Sequence, residues 1–216
     1  MIRQDSQLDF DPARHHYFLN GRRIPGVTEV LTYGGLLDYD FLSREHRAAC
    51  LARGQAVHRL TQLNDEDRLV ESNVPPELAG YLESWRRFRL DYQFRPTLIE
   101  RRVYNRQFNF AGCLDRTGQI RGGAQVLLDL KTNTAPDAVP IQLSAYGSTL
   151  AHPRAWHRWC VQLCGNGRYK VTAFKLCDFQ RDFDAFLAML AAYRRRRNDG
   201  NDADTRSARD PIPDIG

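Results

Sequence analysis

Residues 110–146 read FAGCLDRTGQIRGGAQVLLDLKTNTAPDAVPIQLSAY, running from Phe110 to Tyr146. Within them VLLDL (Val126 to Leu130) is a near-continuous apolar run, the pattern of a strand covered on both faces. Gly118, Gly122 and Gly123 supply a turn ahead of it, so residues 108–116 and 125–131 are expected to pair as a hairpin. A loop at Asn133 to Pro136 then leads to a helix expected over residues 139–150. Three polar spacings mark the stretch: Gly112-x-x-Asp115, Asp129-x-Lys131 and Gln142-x-x-x-Tyr146. Asp129 and Lys131 stand two apart on a strand and so share a face. Charges emerging from so apolar a run need a reason, because a buried unpaired charge is costly. Taken alone, Asp-x-Lys is best explained as a strand end reaching water with a local ion pair.

The chain has 216 residues, room for one sizeable domain. Hydrophobic residues make up 42% and charged residues 26%, the balance of a soluble globular protein. No apolar run approaches the ~20 residues of a membrane span, and the polar N-terminus does not read as a signal peptide, so a soluble, intracellular protein is expected. The net charge of +5 and pI of about 9.1 are compatible with a polyanion partner but do not require one. Of the 31 basic residues only Lys131, Lys170 and Lys175 are lysines. Unlike arginine, a lysine near a metal can lower its pKa and handle a water. The five cysteines are odd in number and form no C-x-x-C pair, which argues against disulfides in an intracellular chain.

Asn20-Gly21 between HHYFL and RRIPGVT signals a hairpin, closed by Pro25-Gly26, with Thr28 a candidate cap for a short helix starting near Glu29. Helical patterning runs from about Leu42 to Leu63, with Ser43 as cap. Gly54 inside this helix costs roughly 1 kcal/mol relative to alanine and suggests a close backbone approach. His58 lies four residues on, on the same side. A second helix is expected from Pro76 to Tyr92, its buried stripe Leu78, Tyr81, Leu82, Trp85 and Phe88. Residues 97–104 alternate as a strand, with Leu98, Glu100, Arg102 and Tyr104 on one face. Beyond the central stretch come two strands, about 157–163 and 168–176, joined by Gly165-Asn166-Gly167, and a helix over about 182–197 ending in four arginines. This order predicts an α/β domain: residues 1–40 form a hairpin and short helix packed on a core of 41–197, and 198–216 have the polar, Pro-rich composition of a disordered tail.

Placed in chain order, Gly54 to His58, Glu100, Gly112 to Asp115, Asp129 to Lys131 and Gln142 to Tyr146 resemble the PD-(D/E)XK nuclease superfamily, specifically its RecB-type branch. The match covers residues 54–146, and its conjunction rather than any single motif carries it. The segment HHYFLNGRRIPGVTEVL also resembles the start of small stand-alone phage or prokaryotic members. The resemblance implies a restriction-endonuclease-like core, a central mixed sheet flanked by helices. It also implies a Mg²⁺- or Mn²⁺-dependent DNA nuclease, an exonuclease of DNA recombination, repair or phage DNA processing, in the cytoplasm of a bacterium or phage-infected host. His58, Asp115 and Asp129 would bind the metal; Lys131 would orient or deprotonate the attacking water; Glu100 could hold a metal-bound water or a second ion. Gln142 and Tyr146 would steady the site and contact the DNA backbone. DNA is the implied partner, along with a recombination or replication protein.

Each residue has a plainer explanation. His58 can be a helix histidine facing a polar pocket, and Glu100 part of a solvated cluster with Arg101 and Arg102. Asp115 can cap a turn, Gln142 can be exposed, and Tyr146 can be a core aromatic. Some RecB-type relatives hold an iron–sulfur cluster, and Cys50, Cys160, Cys164 and Cys177 echo that order. Their expected spread over two strands argues against one, since cluster ligands are packed more tightly. Arg194 to Arg197 would complement a helix C-terminal dipole or grip phosphates. Trp156 and Trp159 would stack bases or pack in the core. The competing functions are a catalytically inactive DNA- or protein-binding module of the same fold and a structure-specific endonuclease. Filled catalytic positions argue against the inactive module.

Overall fold

A computed structural model describes residues 7–37, 43–132 and 137–207; the expected loop at 133–136, and residues 208–216 of the expected tail, lie outside these. Three short strands, β1 (Leu8–Asp11), β2 (His16–Leu19) and β3 (Arg22–Ile24), form an antiparallel sheet in sequence order. The β2–β3 turn falls on Asn20-Gly21, both residues at positive φ, as the two-residue hairpin requires. Helix α1 (Val27–Tyr33) follows, then α2 (Arg44–Asp65) and α3 (Pro76–Tyr92). The second sheet is mixed and has the order β4 (Arg95–Asn105), β5 (Phe110–Gln119), β6 (Gln125–Lys131), β7 (His157–Leu163), β8 (Tyr169–Phe174). Only β6 and β7 are parallel, with α4 (Val139–Gly147) in the crossover between them; α5 (Phe179–Ser207) closes the chain.

The protein is therefore α/β, a five-stranded mixed sheet with helices on both faces and a three-stranded antiparallel sheet beside it. Val126, Leu128 and Leu130 of β6 pack against Val57 of α2 and Trp85 and Phe88 of α3. Leu127, of opposite parity, joins the other core with residues of α1, α4 and α5, including Val30, Leu143 and Phe186. Burial on both faces explains why VLLDL lacks alternation. Asp129 and Lys131 share the parity of Leu127 and thus the side carrying α4. A third cluster, Tyr17, Ile24 and Ala111, seats the small sheet on β5, where Ala111 N donates to Pro25 O at 2.9 Å.

Several local expectations are corrected. Helix α1 starts at Val27, with Gly26 as its N-cap instead of Thr28; the Glu29 carboxylate reaches back to Gly26 N, 3.3 Å away. Ser43 does cap α2, accepting from His46 N at 3.3 Å. A Cβ at Gly54 would meet nothing within 4 Å, so no backbone approaches there; beside the cleft it is Gly112 that is tight. A Cβ on Gly112 would stand 2.5 Å from the Tyr146 ring and 3.2 Å from Val27, so its bareness lets α4 and α1 lie close on β5. In β4 the expected alternation fails: Leu98 and Val103, of opposite parity, pack against the same core, and Glu100 between them has φ +44°.

Helix α5 begins at Phe179 and continues to Ser207, so Arg194 to Arg197 are not at its C-terminus and the dipole explanation falls. Arg194 donates to Phe108 O and Asn109 O at 2.6 and 2.9 Å, Arg196 lies over Tyr33, and Arg197 over Tyr193. Trp156 and Trp159 are half-buried against the two main cores, and Trp156 Nε1 donates to Ala151 O. Cys164 falls just past β7, and Cys177 sits in a 3₁₀ turn, Leu176–Asp178, rather than on a strand. All five thiols are free. Among the described residues no helix is long and apolar enough to cross a membrane.

Candidate metal centre

The site forms where two strands part. Pairing of β5 with β6 runs from Gln119↔Gln125 to Arg116↔Leu128 and stops. Beyond that point side chains take over Leu130's backbone groups. Leu130 N donates to Asp115 Oδ2 at 2.7 Å, and Leu130 O lies 3.2 Å from His58 Nε2. On the other edge of β5 the ladder passes from Ile99↔Arg116 to Arg101↔Leu114, skipping Glu100 and Asp115. A positive φ at a non-glycine, roughly 1–3 kcal/mol of strain, marks the same spot. Irregular strands re-aim side chains in this way, and here Glu100 meets the histidine of α2.

His58 Nδ1 stands 3.0 Å from Glu100 Oε1 and 3.8 Å from Asp115 Oδ1. Ligand atoms of His58, Glu100 and Asp115 all lie within 4.8 Å of one another, the only such trio of His, Cys, Asp or Glu among the described residues. Of the expected metal residues, His58 and Asp115 are thus together, and Glu100 supplies the third member. Glu100 is half-buried and bonded to His58 and Arg116, not part of a solvated cluster with Arg101 and Arg102. Asp129 stands outside the trio, held by Lys131, whose Nζ donates to Oδ1 at 2.8 Å. Oδ2 is also 2.7 Å from Nζ, but its direction makes no hydrogen bond, and it is a buried oxygen without a hydrogen-bond partner.

All seven expected site residues line one cleft of about 390 Å³: His58, Glu100, Asp115, Asp129, Lys131, Gln142 and Tyr146. Gln142 and Tyr146, one turn apart on α4, are both buried, and Gln142 Nε2 donates to Tyr146 Oη at 3.3 Å. Tyr17 and His15 of the small sheet, Leu37, and Arg47 and Leu51 of α2 also line the cleft, contributions that sequence spacing did not indicate. Leu51, an apolar residue of the amino-terminal half of α2, is 53% exposed, which only the fold reveals. A larger cleft of about 640 Å³ lies elsewhere, lined by Phe108, Phe179 and Phe183 among others, and its only ionisable lining residues among those described are His152 and Arg154.

The electrostatics of the cleft are strongly coupled. Burial alone would depress the His58 pKa, yet Asp115 and Glu100 lift it to about 9. The metal-free imidazole is therefore protonated, donating to Glu100 through Nδ1 and to the Leu130 carbonyl through Nε2. With Nε2–H kept on a carbonyl, Nδ1 is the nitrogen able to face a cation once its proton leaves, the usual arrangement of a metal-bound histidine. Burial, aided by nearby carboxylates, pushes Asp115 and Asp129 above the ordinary range for aspartate. Burial opposes the charge on Lys131, but Asp129 and Asp115 outweigh it and hold the ammonium above its ordinary value. Lys131, ion-paired with Asp129, is held as a cation.

These residues suit a hard divalent ion: carboxylate oxygens and one imidazole, with Asp129 Oδ2 buried and held, among the described residues, by its ion pair to Lys131 alone. The nitrogen favours Mn²⁺ over Mg²⁺. No protein-family model and no curated protein matches this sequence.

Proposed function

We propose that the protein is a divalent-metal-dependent DNA nuclease of the PD-(D/E)XK type, with a restriction-endonuclease-like core, acting as an exonuclease on DNA ends. The observation that carries this reading is the cleft itself. A His–Glu–Asp trio and an Asp–Lys pair meet where β5 and β6 part, and one buried carboxylate oxygen is left without a hydrogen-bond partner. Exonuclease rather than endonuclease action follows from the RecB-type resemblance, as does a place in DNA recombination, repair or phage DNA processing.

His58, Glu100 and Asp115 would hold the ion, with Asp129 turning Oδ2 toward it. Such an ion polarises the scissile phosphate and acidifies a water beside it. The Lys131 ammonium, placed by Asp129, would donate to a phosphate oxygen as negative charge builds there. Gln142 and Tyr146 would fix the wall opposite and supply donors for the backbone phosphates. The decisive assay incubates the protein with linear and closed-circular DNA in Mg²⁺, in Mn²⁺ and in EDTA. Digestion of linear DNA alone, abolished by EDTA, is the expected result. DNA binding without cleavage under every metal would instead leave an inactive binding module.

A further inference from the structure

Arg116 is a charged residue with no exposed surface, and every polar atom of its guanidinium is engaged. Nε donates to Asp65 Oδ2 at 2.7 Å, Nη2 to Thr61 Oγ1 at 3.1 Å, and Nη1 to Glu100 Oε1 at 2.8 Å and to Asp115 O at 2.7 Å. The plane lies over the Trp85 ring, whose Nε1 donates to the other oxygen of Asp65 at 2.8 Å. The Asp65 side chain is itself fully buried and also meets Arg89 at 3.0 Å. His58, Thr61 and Asp65 recur at i, i+3 and i+7, so they form one stripe along α2. The same helix face thus carries the histidine of the trio and two of the acceptors that hold the arginine. Arg116, in turn, follows Asp115 on β5 and grips Glu100 on β4.

We propose that Arg116, anchored by Asp65, is the positioning residue of the metal centre, fixing the Glu100 carboxylate and locking α2 to β4 and β5 so that His58, Glu100 and Asp115 converge. This rests on the metal-binding reading above. Glu100 needs such a holder because its backbone is in the left-handed region, from which it would otherwise relax. Arginine suits the place because its planar fork addresses four acceptors at fixed angles, whereas a lysine offers one point of charge. Partners behind metal ligands typically change metal affinity by ~10–100-fold when removed.

Titrating Mn²⁺ alone into the purified protein by calorimetry, with circular dichroism melting alongside, tests this. Arg116→Lys and Asp65→Asn should weaken Mn²⁺ binding by at least tenfold while the folded spectrum is kept. If the wild type cleaves DNA, raising Mn²⁺ should restore their cleavage. Thr61→Val, which removes only the Nη2 acceptor, serves if either of the others fails to fold, and should weaken Mn²⁺ binding by a smaller factor. Folded variants that bind Mn²⁺ as tightly as the wild type would overturn the positioning role and leave the metal reading standing. A wild-type protein that does not bind Mn²⁺ would overturn both.

Discussion

If the protein is the nuclease proposed above, Lys131→Met is expected to lower DNA cleavage by a factor of ~10² or more while linear DNA still binds. The estimate follows from the loss of one preorganised donor at developing oxyanion charge, typically ~10²–10³ in rate. Lys131 can play that part because it is confined: Asp129 accepts a hydrogen bond from its ammonium at 2.8 Å, and its stem rises from a strand buried on both faces. Methionine keeps the stem's volume and removes the charge, so a folding defect is not the expected cause of lost activity. A single-turnover assay on end-labelled linear DNA in saturating Mn²⁺, paired with a binding measurement in Ca²⁺, separates the two effects. Unchanged cleavage by a folded Lys131→Met protein would remove the lysine from the chemistry. Asp129→Ala should lose at least as much, since it removes the carboxylate that places the ammonium as well as a candidate ligand.

The second large effect is on stability, behind the helix that carries Gln142 and Tyr146. Arg158 of β7 is buried beneath α4 and α5, donating to Asp182 Oδ2 at 2.8 Å, to Pro140 O at 2.9 Å, to the nearby Ser144 Oγ, and to Lys175 O at 3.0 Å. Asp182→Ala leaves this cation without its counter-charge at a cost of about 3–5 kcal/mol. For a domain of this size that lowers the melting temperature by on the order of 10 °C. The paired replacement Arg158→Met with Asp182→Leu should recover most of the loss, because it removes both charges and fills the volume. Thermal melts of Asp182→Ala, of Arg158→Met and Asp182→Leu singly, and of the double variant complete the cycle. A loss below about 1 kcal/mol in Asp182→Ala would mean that the guanidinium is sufficiently satisfied by its carbonyl partners.

These two arginines show where sequence reading stops. Arg116 and Arg158 look like surface residues, because charged side chains are almost never fully buried unless paired. Their partners Asp65 and Asp182 are remote in the chain, and nothing in local periodicity announces the pairing. The signal available was the His58–Thr61–Asp65 stripe, which needed the fold to become meaningful. By contrast β6 was readable from its apolar run, α3 from Pro76 to Tyr92 from its stripe, and the first hairpin from Asn20-Gly21. Each of those depends on interactions within a few residues. Glu100 was the hardest member to judge, since alternation placed it on a regular face and only its left-handed backbone turns it toward His58. Gly54 misled for the complementary reason: a helical glycine suggests contact, and here it borders open space.

The parting of β5 from β6 also gives the protein a built-in reporter. The Leu130 amide hydrogen is held by a carboxylate of the cleft, not by β5, so its exchange with deuterated solvent is tied to the state of Asp115. A hydrogen bond to a charged acceptor contributes about 1.5–3 kcal/mol, which corresponds to roughly 10–100-fold in local protection. Asp115→Ala should therefore speed deuterium uptake at Leu130 by that factor while the amides of Leu127 and Leu128, deeper in the strand, keep their rates. A cation drawing on the Asp115 carboxylate would act on the same hydrogen, so occupancy of the cleft becomes visible in the backbone, with no DNA present and no bond cut.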